Sequence, residues 1–231
     1  MGKRNVMRVR SGRWPVLCVA LLMLALGVCS QSTHAQSAGA PQRQTSTPYT
    51  GDLSIFEYKD RDRKLQIGRV MDLLGIEPGK NVADIGAGSG WFTVRAATRV
   101  SPQGTVFAED INPAAVKAIN ERASKGNLEN IHTVQGTPDD PKLQPNSVDA
   151  VLLLKVYHEI ANPETLLRNL KPALRRGAKV GIIDRNGNGA DHGLAEAIVV
   201  KEMSAAGFHR VGRYDFTKAD GQDYFLIFEQ N

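Results

Sequence analysis

The sequence predicts an α/β fold: a doubly wound sheet of seven strands, mostly parallel, with an antiparallel last strand. Three observations predict it. From about residue 59, amphipathic stretches alternate with short apolar runs, the pattern of a parallel sheet flanked by helices. A glycine-rich segment, Asp84-Ile-Gly86-Ala-Gly88-Ser-Gly90, falls where the first apolar run gives way to a helical one. The last two strand-like runs, near 208–214 and 223–229, are joined by a turn at Ala219-Asp-Gly221 that is too short for a parallel crossover.

The chain opens on a different pattern. Residues 1–35 carry Lys3, Arg4, Arg8, Arg10 and Arg13 and no acid, then an apolar run from Val16 to Val28, then small and polar residues ending Thr33-His34-Ala35. Basic, apolar, small is the order of a cleavable export signal, and the run falls short of the roughly 20 residues a membrane span needs. The expectation is a signal peptide over 1–35, cleaved near Ala35, and a periplasmic mature chain. Lipid processing at Leu26-Gly-Val-Cys29 is the alternative, with Val28 bulky where such sites want a small residue, and an uncleaved anchor is another. A membrane contact is expected only through this leader.

Charge and cysteine content follow the same division. The net charge of +5 belongs to the leader, because the 24 basic residues beyond it match 24 acidic ones. A neutral body with no basic run has no footprint for a phosphate backbone, so no nucleic-acid partner is expected. Both cysteines, Cys18 and Cys29, lie in the leader, which leaves a cleaved chain without disulfide or thiolate chemistry. Residues 36–52, rich in Gln, Ser, Thr, Pro and Gly, are expected to be a flexible linker ahead of a domain over 53–231.

Within that domain each element has its signal. Leu65, Ile67, Val70, Met71, Leu73 and Leu74 among charges predict an amphipathic helix over 59–74. Strands are expected at 81–85, 105–109, 131–135, 148–154 and 179–183, and a helix from Trp91 to about Val100, ended by Ser101-Pro102. Asn112-Pro113 and Asn162-Pro163 each place a cap residue before a proline at the first helical position, opening helices to about Ala123 and Leu174. A last helix is expected over about 193–206.

The glycine segment discriminates between ligands. A nicotinamide fingerprint, G-x-G-x-x-G, would need a small residue where Trp91 stands, and no G-x-x-x-x-G-K-[ST] loop exists. Val82-Ala-Asp-Ile-Gly-Ala-Gly-Ser-Gly-Trp-Phe-Thr93 resembles motif I of the class I S-adenosylmethionine-dependent methyltransferases. The resemblance covers about residues 55–229, strongest over 80–115, and implies a Rossmann-like fold with S-adenosyl-L-methionine as cofactor. It implies that Asp84, Gly86, Ala87, Gly88 and Gly90 form the cofactor loop, that Asp110 takes the ribose hydroxyls and that Ile111 packs on adenine. Glu109 is the rival acid, which strand alternation would turn away. Thr137 stands where the family usually has an acid, a departure that leaves adenine recognition to Thr137, Asp139 or backbone groups.

Lys155-Val-Tyr-His-Glu-Ile160 resembles the family's loop after the fourth strand, which should border the methyl group, with Lys155 counted among the cofactor contacts. Tyr157, His158 and Glu159 are the candidates for acceptor chemistry. His158 is the candidate general base because histidine titrates near neutrality, with a purely structural hydrogen bond to a neighbouring loop as the alternative, and Tyr157 shapes or hydrogen-bonds the acceptor. No metal site is expected, since His132, His158, His192 and His209 lack ligand spacing in the sequence, and Asp191-His192 is taken as a helix cap beside an exposed histidine. The implied activity is methyl transfer to a small-molecule acceptor. The alternative is an exported, non-enzymatic domain that keeps a nucleoside site without turnover, and the oligomeric state stays open.

Overall fold

The structure is a computed structural model, described here for residues 43–218 and 222–231. The leader and the turn expected at Ala219-Asp-Gly221 lie outside the described residues. Seven strands form one sheet: β1 (Val82–Ile85), β2 (Val106–Asp110), β3 (Ile131–Gln135), β4 (Val148–Leu154), β5 (Leu174–Arg185), β6 (Phe208–Tyr214) and β7 (Asp223–Gln230). Their order is β3-β2-β1-β4-β5-β7-β6. The first five pair in parallel. β7 runs antiparallel to both its neighbours, β5 and β6. The expected Rossmann-like sheet is what the chain forms, with the final strand slotted inside it.

Side chains alternate across the sheet and fill two cores. On β4, Ala150 and Leu152 face one core while Val151 and Leu153 face the other. On β7, Phe225 and Ile227 join the first core, and Tyr224, Leu226 and Phe228 the second. Burying both faces of a strand requires a continuous apolar run, which Tyr224–Phe228 supplies. Among the described residues no helix is long and apolar enough to cross a membrane.

Six α-helices cover these faces: α1 (Arg61–Leu65), α2 (Ile67–Leu74), α3 (Trp91–Val100), α4 (Pro113–Lys125), α5 (Pro163–Leu170) and α6 (Glu196–Ala205). Three differences from the expected elements have physical causes. The first helix divides at Gln66, where φ is +48°. Leu65 and Ile67, two positions apart, would point to nearly opposite sides of one continuous helix; the break lets both be buried. α5 stops at Leu170, short of Leu174, because Pro172 has no N–H to donate and its ring would meet the carbonyl one turn back. α6 starts at Glu196, after Leu194 has been drawn into a bridge with Asn188.

The stretch expected to be a flexible linker is corrected from residue 43 onward. Arg43 pairs with Glu202 at 2.8 Å and donates to the carbonyls of Tyr157 and Ile160 at 3.0 and 2.9 Å. Ser46 is buried and donates to the carbonyl of Gly189 at 2.8 Å. Polar composition had suggested a tether, yet these polar groups meet main-chain partners left over by two loops. A short 3-10 turn, Leu53–Glu57, continues the cover, capped by the Asp52 carboxylate on the Ser54 N–H.

Candidate active site

A cleft of about 870 Å³ opens at the carboxyl ends of β1, β2 and β4. This is where the strand order reverses between β1 and β4, the place open α/β sheets keep for ligands. The loop after β1 forms its floor. Gly86 and Gly88 line it with φ of +67° and +54°, values an L side chain takes only under strain. A Cβ on Gly86 would also stand 2.5 Å from Val156 Cγ2, so glycine is demanded twice. Ala87 also lines the cleft, and its N–H donates to the Glu109 carbonyl at 2.9 Å.

Three carboxylates gather round this loop. Asp84 is buried at the end of β1, accepts a hydrogen bond from Thr93 Oγ1 at 2.6 Å, and is pushed up to about 7 by burial. Asp110 lines the cleft and accepts the N–H groups of Gly88 and Asn112, both at 2.8 Å. Burial raises its carboxyl above the ordinary value while those two N–H groups pull it back. Glu109, set aside on strand alternation, is corrected: it too lines the cleft. At the end of β2 its longer side chain bends back to the Gly86 N–H at 3.3 Å. Burial pushes it up to about 8.

Other expected contacts divide. Ile111, Thr137 and Lys155 line the cleft. Lys155 reaches its rim already paired with Asp223 at 2.6 Å, so its ammonium is balanced by the protein. Gly90 does not line the cleft. It starts α3 with φ +73°, and a Cβ there would come within 3.1 Å of Ile119 Cγ1, so it serves close helix packing. Asp139 also turns out to lie away from it, because Asn162 Nδ2 donates to its carboxylate at 3.1 Å and Asn169 to its carbonyl at 2.8 Å.

Both residues expected to be catalytic are corrected. Tyr157 is fully buried, with its ring under Arg43 and its hydroxyl facing Glu202; the 3-10 turn Tyr157–Glu159 rotates it into the core. His158 is buried as well, its Nδ1 held 2.9 and 3.0 Å from the Asp184 oxygens, and it does not line the cleft. Of that trio only Glu159 reaches the wall, its carboxyl pushed up to about 7 by burial.

Residues without a sequence signal complete the cleft. Arg61, on α1, is buried there with its guanidinium 4.1 Å from the centre of the Trp91 ring, and one of its N–H groups reaches the Phe56 carbonyl. Its charge acts on Asp84 and favours the ionised carboxylate there. Tyr49, Leu53, Phe56 and Tyr58 form an apolar cover ahead of the sheet. Glu57 fastens that cover to the glycine loop by accepting from Ser89 Oγ at 2.7 Å and pairing with Arg122.

A profile of the family described as a methyltransferase domain matches residues 76–212. The ubiquinone/menaquinone biosynthesis C-methyltransferase UbiE of Ectopseudomonas mendocina is 29% identical over 115 residues, covering 49% of this chain and 45% of that protein. The arsenite methyltransferase of Halobacterium salinarum is 25% identical over 158 residues, 68% of this chain and 39% of that protein. The chain therefore spans less than half the length of these curated relatives. A SAM-dependent methyltransferase from Aquifex aeolicus superposes with a TM-score of 0.69 at 21% identity, over 78% of this chain and 98% of that one. The cyclase SpnF does so with a TM-score of 0.63 at 14% identity, over 84% and 89%. At such identities the likeness to both structures is one of fold.

Proposed function

Because this chain belongs to the methyltransferase-domain family, we propose that it moves a methyl group from S-adenosylmethionine to a small, largely apolar acceptor. The observation that carries the reading is the cleft at the strand-order reversal, with the Asp110 carboxylate fixed on the Gly88 N–H inside it. A carboxylate oxygen has lone pairs to spare beyond one N–H, so Asp110 can also accept from a diol. The glycine floor has no Cβ to obstruct a nucleoside, and Ile111, 38% exposed at the rim, offers an apolar face for a base. The Asp110 carboxylate sits in the wall with Asp84 and Glu109, whose buried carboxyls can offer hydrogen bonds while protonated, and Arg61 is placed for the carboxylate of an amino-acid tail.

When bound, the cofactor supplies a methyl carbon already activated by its sulfonium. The chain's own work is then to orient the acceptor and keep out water. Tyr49, Leu53, Phe56, Tyr58 and Leu166 provide an apolar enclosure for that purpose. Glu159, Asp84 and Glu109 are cleft-lining carboxyls that burial raises to about 7, 7 and 8, so any of them left free can take a proton near neutral pH. The test is a titration with S-adenosylhomocysteine followed by a methyl-transfer assay on candidate acceptors. Binding with turnover supports the reading. Binding without turnover on any acceptor favours the non-enzymatic nucleoside-binding alternative, and no binding at millimolar ligand removes both.

The same proposal places the mature chain outside the cytoplasm, on the strength of the basic, apolar, small-residue order of residues 1–35. Intact-mass analysis of protein from an expressing cell should find a start near Gln36. A soluble cytoplasmic species that retains Met1 would contradict it.

A further inference from the structure

Two loops separated in sequence bring three ligand-bearing side chains to one point. His158 and Glu159 lie in the turn after β4, and His192 in the loop that leads from β5 to α6. The two imidazole rings meet edge to face, their centres 5.8 Å apart. His158 Nε2 stands 3.8 Å from Glu159 Oε1, and one ligand atom from each of the three side chains lies within 4.8 Å of the others. Sequence spacing gave no hint of this grouping, which the parallel sheet creates by ending β4 and β5 side by side.

The two histidines are held from behind. Asp184, fully buried, accepts main-chain N–H groups from His158 at 3.1 Å and Arg185 at 2.9 Å, and its oxygens flank His158 Nδ1. An acceptor on that side makes Nδ1 the protonated nitrogen and leaves the lone pair on Nε2, facing Glu159. His192 has φ of +56°, and its N–H is held at 3.0 Å by Ser46 Oγ, which also ties down Gly189 of the same loop.

We propose that His158, Glu159 and His192 form a binding site for a divalent zinc-type cation at the wall of the cleft. Two imidazoles and one carboxylate are a donor set for borderline transition metals, whereas magnesium and calcium prefer all-oxygen sites. The Asp184–His158 pair is the carboxylate–imidazole arrangement that orients and strengthens a metal-bound histidine. Bonds of about 2.0–2.2 Å in a tetrahedron set ligand atoms about 3.3–3.6 Å apart, so the exposed His192 ring must close by about 1 Å. Three protein ligands leave a position open, and Glu159 sets it beside the cleft, within reach of an anionic oxygen or sulfur. The metal assignment stands independently of methyl transfer.

The experiment is a titration of the chelator-treated, untagged chain with Co²⁺, followed by visible d–d absorption and displacement by Zn²⁺. One tightly bound Co²⁺ per chain is expected, with affinity reduced at least about tenfold in His192→Ala and in Glu159→Gln. Zn²⁺ should raise the melting temperature of the wild type and not that of His192→Ala. His192 is exposed, so the metal-free variant should melt with the wild type and give a clean comparison. Equal Co²⁺ affinity in wild type and His192→Ala, or no binding by the wild type at millimolar Co²⁺, overturns the site.

Discussion

Asp184 holds His158 through three contacts: both its oxygens flank the ring Nδ1 at 2.9 and 3.0 Å, and one also takes the main-chain N–H at 3.1 Å. The ring is thereby fixed in place and in tautomer by a strand it does not belong to. Asp184→Asn keeps the shape and exchanges an acceptor oxygen for a donor, so the ring loses its charged partner. A destabilisation of about 1.5–3 kcal/mol is expected by urea denaturation, the scale of a buried hydrogen bond to a charged group. Co²⁺ affinity should fall about 10- to 100-fold. Unchanged stability would mean that packing alone fixes the imidazole.

Asp110→Ala should weaken S-adenosylhomocysteine by roughly ten- to a hundredfold, about 1.5–3 kcal/mol, through loss of a charge-assisted contact to the ribose. Calorimetric titration of a variant with a wild-type far-ultraviolet spectrum checks it. If affinity holds, the ribose contact passes to Glu109, which lines the same wall.

Gly86→Ala tests the floor of the cleft. The substitution forces a side chain into φ +67° and into Val156 Cγ2. Destabilisation of about 1–3 kcal/mol is expected from the backbone conformation alone, with the clash in addition. Val156→Ala in the same chain should recover the steric part and leave the backbone part. Full recovery would show that the φ value is not the constraint.

Stability should depend on Glu109 in a particular pH window. Burial lifts its carboxyl from 4.5 to about 8, with Asp110, Asp84 and Asp140 pushing the same way and the Gly86 N–H opposing. The folded chain therefore holds a proton that the unfolded chain has released. That contribution is fully present below about pH 4.5 and is lost as pH rises through 8. Asp84, lifted to about 7 by burial, acts with the same sign. Unfolding free energy measured without ligand should decline between about pH 5 and 8, and Glu109→Gln should flatten part of that decline. An identical slope in the variant would place the protons elsewhere.

Arg43→Ala should loosen the turn over Tyr157–Glu159. The variant loses the pair with Glu202 and two hydrogen bonds to the carbonyls of Tyr157 and Ile160. Hydrogen exchange should show faster amides at residues 157–160, with β1 and β4 unaffected. Equal protection would make the segment ahead of the sheet a passive cover.

The sheet and the cofactor loop were legible because they rest on local signals. Gly86 and Gly88 mark a strand-to-helix turn, Asn112-Pro113 marks a helix start, and apolar runs mark buried strands. Placing β7 between β5 and β6 was less obvious, although five consecutive apolar residues, Tyr224–Phe228, already demanded two buried faces. Side-chain direction after a strand ends was not legible. Strand alternation no longer governs there, so Tyr157 and His158 turned away from the cleft, whereas Glu109, still within β2, reaches the Gly86 N–H by the length of its own side chain. Arg61 and the segment 43–58 had no periodicity to announce them, since their roles come from partners distant in sequence, such as Gly189 and Glu202.

The central place of β7 sets the schedule on which this chain reaches its native state. During synthesis β6 emerges before β7, yet β6 has no bonded neighbour in the sheet until β7 arrives to lie between it and β5. One strand thus waits wholly for a later segment, and the free edge of β5 stays available to other chains meanwhile. The backbone of the cofactor loop, by contrast, runs between β1 and α3 beside β2, elements that pair early and locally. Nascent protein should therefore acquire its nucleoside floor long before it loses its tendency to aggregate, and cutting the chain just before Asp223 should cost solubility first.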